Sequence, residues 1–207
     1  MSKSNLLKII GMVLGNTLVG LSNGILRKLD LGMDPFSTFV QGFSLTFNIQ
    51  FGLIQMLISI IVFSIQFLFV RKTIGIGTLY NVIFMGFTSD FMMWLLRNSS
   101  IENLSVYAKV IIASLPLIVI GIGVAMYFDS NKGVASYDSL ALGLANINGL
   151  NFATARIITD ISCVLIGGFM GSRVGLVTLM TMLVTGQLTQ YIGTPVVRKT
   201  IYNNIKF

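Results

Sequence analysis

The sequence predicts an all-α, polytopic helical membrane protein made of two structural repeats, and three observations predict it. Apolar residues make up 54% of the 207-residue chain, charged residues only 10%, and mean hydropathy is +0.85. A soluble domain carries about 25% charged residues, so this chain cannot clothe a water-facing surface. The apolar residues fall into runs of about 20, the length a helix needs to cross roughly 30 Å of hydrocarbon. The chain also aligns weakly with itself. A shift of 101 places Gly32 on Gly133, Phe36 on Tyr137 and Gly42 on Gly143. A shift of 100 places Gly75 on Gly175, Thr78 on Thr178, Leu79 on Leu179 and Gly86 on Gly186. The expected units are 1–105 and 106–207, together giving about six spans plus two short or re-entrant helices.

The net charge of +7 does not signal nucleic-acid binding. The basic residues sit singly or in pairs at the ends of apolar runs, as positive-inside topology and headgroup contact require. A nucleic-acid binder gathers them on one face. Histidine is absent and Cys163 is the single cysteine, so an intramolecular disulfide and a multi-thiolate zinc site are excluded. The usual catalytic base is missing too, which points away from an enzyme and implies no metal or other cofactor.

In chain order, residues 6–26 form the first span. A signal peptide is the competing reading, but no A-x-A-like site follows; Arg27, Lys28 and Asp30 follow instead. Gly11, Gly15, Gly20 and Gly24 form two small-xxx-small pairs, which predict close packing by another helix of this chain, a second copy or a partner membrane protein. Asn16 and Asn23, seven apart, share a face and either line a polar seam or bond across helices.

Pro35 suits a first helical turn and Asp34 an N-cap, so a helix is expected over 36–47. Twelve residues reach only ~18 Å at 1.5 Å each. A helix that short and partly polar survives at membrane depth only inside protein or beside a watery cavity. It is either re-entrant or part of a tilted span continuing through 49–53. Residues 51–70 form a clean span. Residues 78–96 form the next, with Asn81 and Asp90 as its polar groups and Trp94 as an interfacial aromatic. Asp90, under two turns from Arg97, is expected at the headgroups.

The order then repeats: a span over 106–128 with Tyr107 and Tyr127 as interfacial anchors, a short helix over 136–147, and spans over 150–170 and 174–192. A basic tail with Pro195, Arg198, Lys199 and Lys206 ends the chain. If both short helices are re-entrant, eight basic residues fall on the N-terminal side and five opposite; eight complete spans split them seven to six. The six-span arrangement obeys the positive-inside rule better. It gives each repeat three spans and inverts the halves, a plan in which transporters bind solute near the midplane.

Residues 132–186 concentrate the chemistry. Arg156 and Asp160 are four apart on one helix face, well inside an apolar run. A charge at helix centre costs roughly 2.5–3.5 kcal/mol on insertion scales, so the pair should face the bundle interior. It either binds solute, with Arg156 taking an anionic group or Asp160 exchanging a proton, or it is a salt bridge that locks register. Asp138, in SYDSL, either caps the second short helix or converges with that pair on one polar cavity. Asp34, Ser37 and Asn81 are the first half's polar contribution. Opposite Arg156 and Asp160 the first half offers Met56 and Ile60 or Gln55 and Ser59, none of them charged. Thr154, Thr159, Thr178, Thr181 and Gln187 add uncharged hydrogen-bonding groups.

The pieces Leu31–Phe36 (LGMDPF), Asp138–Leu140, Arg156–Asp160 and Gly75–Thr78 resemble the YczE/YitT-like group of small bacterial membrane proteins. The resemblance covers nearly the whole chain, though VAS stands within 133–137 where that group has a Pro-containing turn. It implies a multi-pass protein of the bacterial plasma membrane and little about activity. The residues themselves lead to a secondary carrier for a small anionic or zwitterionic solute, with Arg156, Asp160, Asp138, Asp34 and Asn81 as the binding set. A non-transporting scaffold or regulatory partner is the alternative. An intramembrane enzyme using Asp160 with Asp138 is the weakest reading.

Overall fold

The computed structural model describes residues 3–150, 152–187 and 197, and every regular element among them is helical. The eight α-helices are α1 (Lys3–Leu29), α2 (Pro35–Phe47), α3 (Phe51–Phe69), α4 (Ile76–Leu95), α5 (Val106–Ser130), α6 (Ser136–Asn148), α7 (Phe152–Phe169) and α8 (Leu176–Gln187). Among the described residues, three helices are long and apolar enough to cross a membrane: Asn5–Leu29, Phe51–Phe69 and Val106–Ser130. Side chains such as Leu68, Ile111 and Leu115 project outward from the bundle, as a lipid-facing surface requires.

Small residues set the helix contacts, because only they let backbones approach without a side chain between. Between α1 and α5, a Cβ added at Gly15 would lie 2.5 Å from the Gly123 carbonyl oxygen, and one at Gly123 would lie 2.8 Å from that of Gly15. Gly20 and Gly24 press the other flank of α1 onto Thr88, Ser89 and Met92 of α4. Gly52 meets Gly86 between α3 and α4, and Gly42 meets Gly167 between α2 and α7. Gly15, Gly20 and Gly24 of α1 are thus spent on packing within the chain.

The two short helices lie within a residue of their expected limits. Each has 13 residues, about 20 Å of rise, well below the ~30 Å hydrocarbon core. Pro35 opens α2, and Asp34 Oδ1 accepts from the Ser37 amide at 3.0 Å. At α6 the N-cap is Ala135, which supplies no side-chain bond. The turns into and out of the two helices share a backbone path. Asp30 and Asn131 have φ of 58° and 56°, Gly32 and Gly133 of 95° and 111°, Asn48 and Gly149 of 53° and 63°. Each entry turn is met by a helix start from the other half. Gly77 N donates to Lys132 O at 2.8 Å, and Val177 N to Leu31 O at 3.1 Å. Thr78 Oγ1 then bonds Val134 O at 2.8 Å, and Thr181 Oγ1 bonds Met33 O at 3.4 Å.

Two placements differ from expectation. Asp90, expected at headgroup level, is partnered inside the bundle; it pairs with Arg27 at 2.8 Å and accepts from the Gly52 amide at 2.7 Å. Arg27 sits at the end of α1 and reaches across to α4, so a carboxylate there closes a contact between helices. Tyr127 is no interfacial anchor. It is buried, with its hydroxyl on Asp138, whereas Tyr107 is 85% exposed. Trp94 is exposed with Arg97 over its ring at 5.1 Å, as an interfacial aromatic should be. The basic tail (Arg198, Lys199, Lys206), Pro195, the end of the 174–192 span and the Gln187 side chain lie outside the described residues.

Candidate functional site

The site is built on α7. Its helical period puts Arg156 and Asp160 on one face, and Arg156 Nε donates to Asp160 Oδ1 at 3.1 Å. The other arm of the guanidinium, Nη1, donates to Asp138 Oδ1. Asp138 lies in the first turn of α6, so its carboxylate reaches sideways to α7 instead of back to the helix start. Of its two expected roles, convergence with the pair is the one found. Asp138 and Asp160 are 5% and 4% exposed. Charges so deep need both a counter-ion and hydrogen bonds to their remaining lone pairs.

Two tyrosines supply those bonds. Tyr127, near the end of α5, donates to Asp138 Oδ2 at 2.6 Å. Tyr137, beside Asp138 on α6, donates to Asp160 Oδ1. The Arg156 guanidinium stacks over the Tyr137 ring at 4.7 Å, and the other face of the cluster is closed by Phe36 stacked on Tyr137. Four elements thereby hold one ionic cluster: α2, α5, α6 and α7.

The cluster opens into a cavity of about 430 Å³. All five residues singled out from the sequence line it: Arg156, Asp160, Asp138, Asp34 and Asn81. Asn81 Nδ2 donates to Asn16 Oδ1 at 2.8 Å, joining α4 to α1. Asn23, on the same face of α1 as Asn16, also lines the cavity and donates to Ser37 Oγ at 3.3 Å. Of the residues that the two shifts set against the charged pair, Gln55 and Ser59 are buried and Gln55 lines the cavity, whereas Ile60 is exposed. Thr159 and Thr178 stay local, bonding Arg156 O and the Gly175 amide.

Sequence reasoning did not pick out Tyr127, Tyr137 or Gln55 as site residues. Tyr137 did carry a signal, being adjacent to Asp138 and aligned with Phe36. Among the described residues, no group of three or more His, Cys, Asp or Glu side chains is arranged to hold a metal ion.

Known relatives bear on identity more than on chemistry. The chain is 25% identical over 179 residues to an uncharacterized protein of Haemophilus influenzae, covering 84% of this chain and 78% of that one. It is 26% identical over 162 residues to the uncharacterized membrane protein YczE of Bacillus subtilis, covering 78% and 73%. It is 22% identical over 186 residues to the uncharacterized protein YyaS of the same organism, covering 90% and 92%. No solved structure matches. The YczE-like resemblance is therefore borne out, and with it a membrane location. Residues 6–194 match the family of unknown function DUF6198, and the chain belongs to that family.

Proposed function

We propose that this protein is a multi-pass plasma-membrane carrier that moves a small charged solute through the cavity between its two halves. One observation carries the reading: an ionic cluster and its polar neighbours face an open volume of about 430 Å³ inside an otherwise apolar bundle. A salt bridge that only locked register would be enclosed by side chains. Arg156 instead keeps 31% of its side chain open.

The carrier plan rests on a two-repeat architecture with six complete spans, α2 and α6 being short helices embedded in the bundle. The shared φ pattern 101 residues apart and the reciprocal docking of Gly77 on Lys132 and Val177 on Leu31 support it. In inverted-repeat carriers the solute sits where the halves meet, beside interrupted helices. Arg156, Asp138, Asp160, Asp34 and Asn81 are the proposed contact set. The scaffold alternative relied on Gly-rich faces open to a partner. Gly15, Gly20 and Gly24 face α5 and α4 instead.

The test is uptake of a cell-metabolite mixture into proteoliposomes, read by mass spectrometry. Wild type accumulates at least one solute, and Asp160→Asn and Arg156→Met, inserted normally, do not. Accumulation equal to that of empty liposomes would leave the scaffold reading in its place.

A further inference from the structure

The cavity wall is unequal in charge. Among the described residues, its charged lining is Asp34, Asp129, Asp138 and Asp160 against Arg156. The guanidinium already spends Nη1 on Asp138 and Nε on Asp160, and each of those carboxylates has a tyrosine hydroxyl besides. That half of the wall is internally satisfied. A purely anionic solute would have to displace two carboxylates from Arg156 and would meet further carboxylates in the lining.

Two other acceptors of the lining are not satisfied. Asp34 Oδ1 is used by the Ser37 amide, but Asp34 Oδ2 is buried with no partner among the described residues. Asn23 is 4% exposed, donates through Nδ2 to Ser37 Oγ, and leaves Oδ1 buried with no partner among the described residues. Both residues line the same cavity and are tied to the same Ser37. An unmade hydrogen bond on a buried acceptor costs about 1–3 kcal/mol, more on a charged one. Two such acceptors, on residues tied to one serine in the cavity lining, call for a donor from outside the chain.

We propose that the cavity takes a solute bearing a protonated amine, and that Asp34 Oδ2 and Asn23 Oδ1 hold its ammonium group. This rests on the carrier reading for its consequence and not for its chemistry. An ammonium presents several N–H donors and one positive charge, which suits one carboxylate oxygen and one amide oxygen. The described residues lack a metal-holding cluster, which favours an organic cation over a metal ion. The Phe36 ring, beside Asp34 in the lining, adds a face on which the carbon skeleton can rest. A zwitterionic solute keeps a role for the part of Arg156 still open to the cavity.

The test reads the sign of the charge that the cavity admits. Met85, an uncharged lining residue, is replaced by cysteine in a Cys163→Ser background. Modification by a trimethylammonium-ethyl and by a sulfonatoethyl methanethiosulfonate is timed on the purified full chain in detergent. Each rate is normalised to that of free cysteine. A cation preference of roughly tenfold or more is expected from the excess of carboxylates over guanidinium in the described lining. Asp34→Asn cuts it severalfold, Asp34→Glu retains it, and n-butylammonium slows the reaction where n-butanol does not. Equal rates, an anion preference, or protection by butyrate instead of n-butylammonium overturns the proposal. No reaction with either reagent overturns it too, since the cavity would then admit no solute. Cation preference without uptake in proteoliposomes leaves this inference standing and removes the carrier reading.

Discussion

Phe36 and Tyr137 stack face to face, with ring centroids 4.7 Å apart and planes 20° from parallel. One comes from the first turn of α2 and the other from the first turn of α6. They are the residues that the 101-residue shift of the sequence superposes. Tyr137 adds a hydroxyl that Phe36 lacks, and that hydroxyl goes to Asp160. Tyr137→Phe keeps the stack and removes one donor from a buried carboxylate. The expected loss is about 1.5–3 kcal/mol, the range for hydrogen bonds to charged groups, seen as a lower unfolding temperature in detergent. An unchanged unfolding temperature would mean that water replaces the hydroxyl.

The ionic cluster should behave as a unit. Removing Arg156 leaves Asp138 and Asp160 buried without their counter-ion, and breaking a buried pair costs about 3–5 kcal/mol. Arg156→Met is therefore strongly destabilising. Adding Asp138→Asn and Asp160→Asn to it should restore much of the stability, because no uncompensated charge remains. Additive losses across the three substitutions would show that the groups act independently.

The α1–α5 seam is the tightest test of the packing. Gly15 faces the Gly123 carbonyl with no room for a Cβ. Gly15→Val must push the helices apart, at a cost of about 1–3 kcal/mol or more for an overpacked contact. Ile111→Ala, on the same pair of helices but 73% exposed, should be nearly neutral. Equal effects of the two would contradict the seam.

One pH dependence follows from the loop between α4 and α5. Lys28 donates to Glu102 at 2.9 Å, and this bond holds the Glu102 carboxyl below its ordinary range. A carboxyl depressed on folding adds stability that is complete above the ordinary glutamate range. That stability is lost as pH falls through the depressed folded value. Wild type should exceed Glu102→Gln slightly at pH 7, and the gap should close in acid. The pair is partly solvent-exposed, so added salt should shrink the gap as well. A gap that widened in acid would reverse the sign and rule out the pair as its source.

Local rules made much of this legible in the sequence. The i,i+4 spacing of Arg156 and Asp160 and the Asp34–Pro35 start of α2 depend only on neighbours in the chain. The missed features depend on distant partners. Which of its two expected roles Asp138 takes is decided only when α7 brings Arg156 beside it. Asp90 resembles a headgroup residue until α1 brings Arg27 across. Tyr127 sits near a helix end, where aromatics commonly mark the interface, but that end is covered by α6. That Gln55 and Ser59 are buried while Ile60 is exposed depends on how α3 is turned in the bundle, which spacing alone does not give. The orphaned oxygens of Asn23 and Asp34 have no sequence signature at all, because an unmade bond is visible only once all neighbours are placed.

The claim on which the account turns is that this cavity binds solute through its charged wall. Thermal unfolding of the purified protein against fractionated metabolite pools measures that directly, since a ligand that binds only the folded state raises its apparent stability. At least one pool should stabilise wild type, and Arg156→Met and Asp34→Asn should lose that gain. Pools that stabilise none of the proteins, or all of them equally, would contradict it.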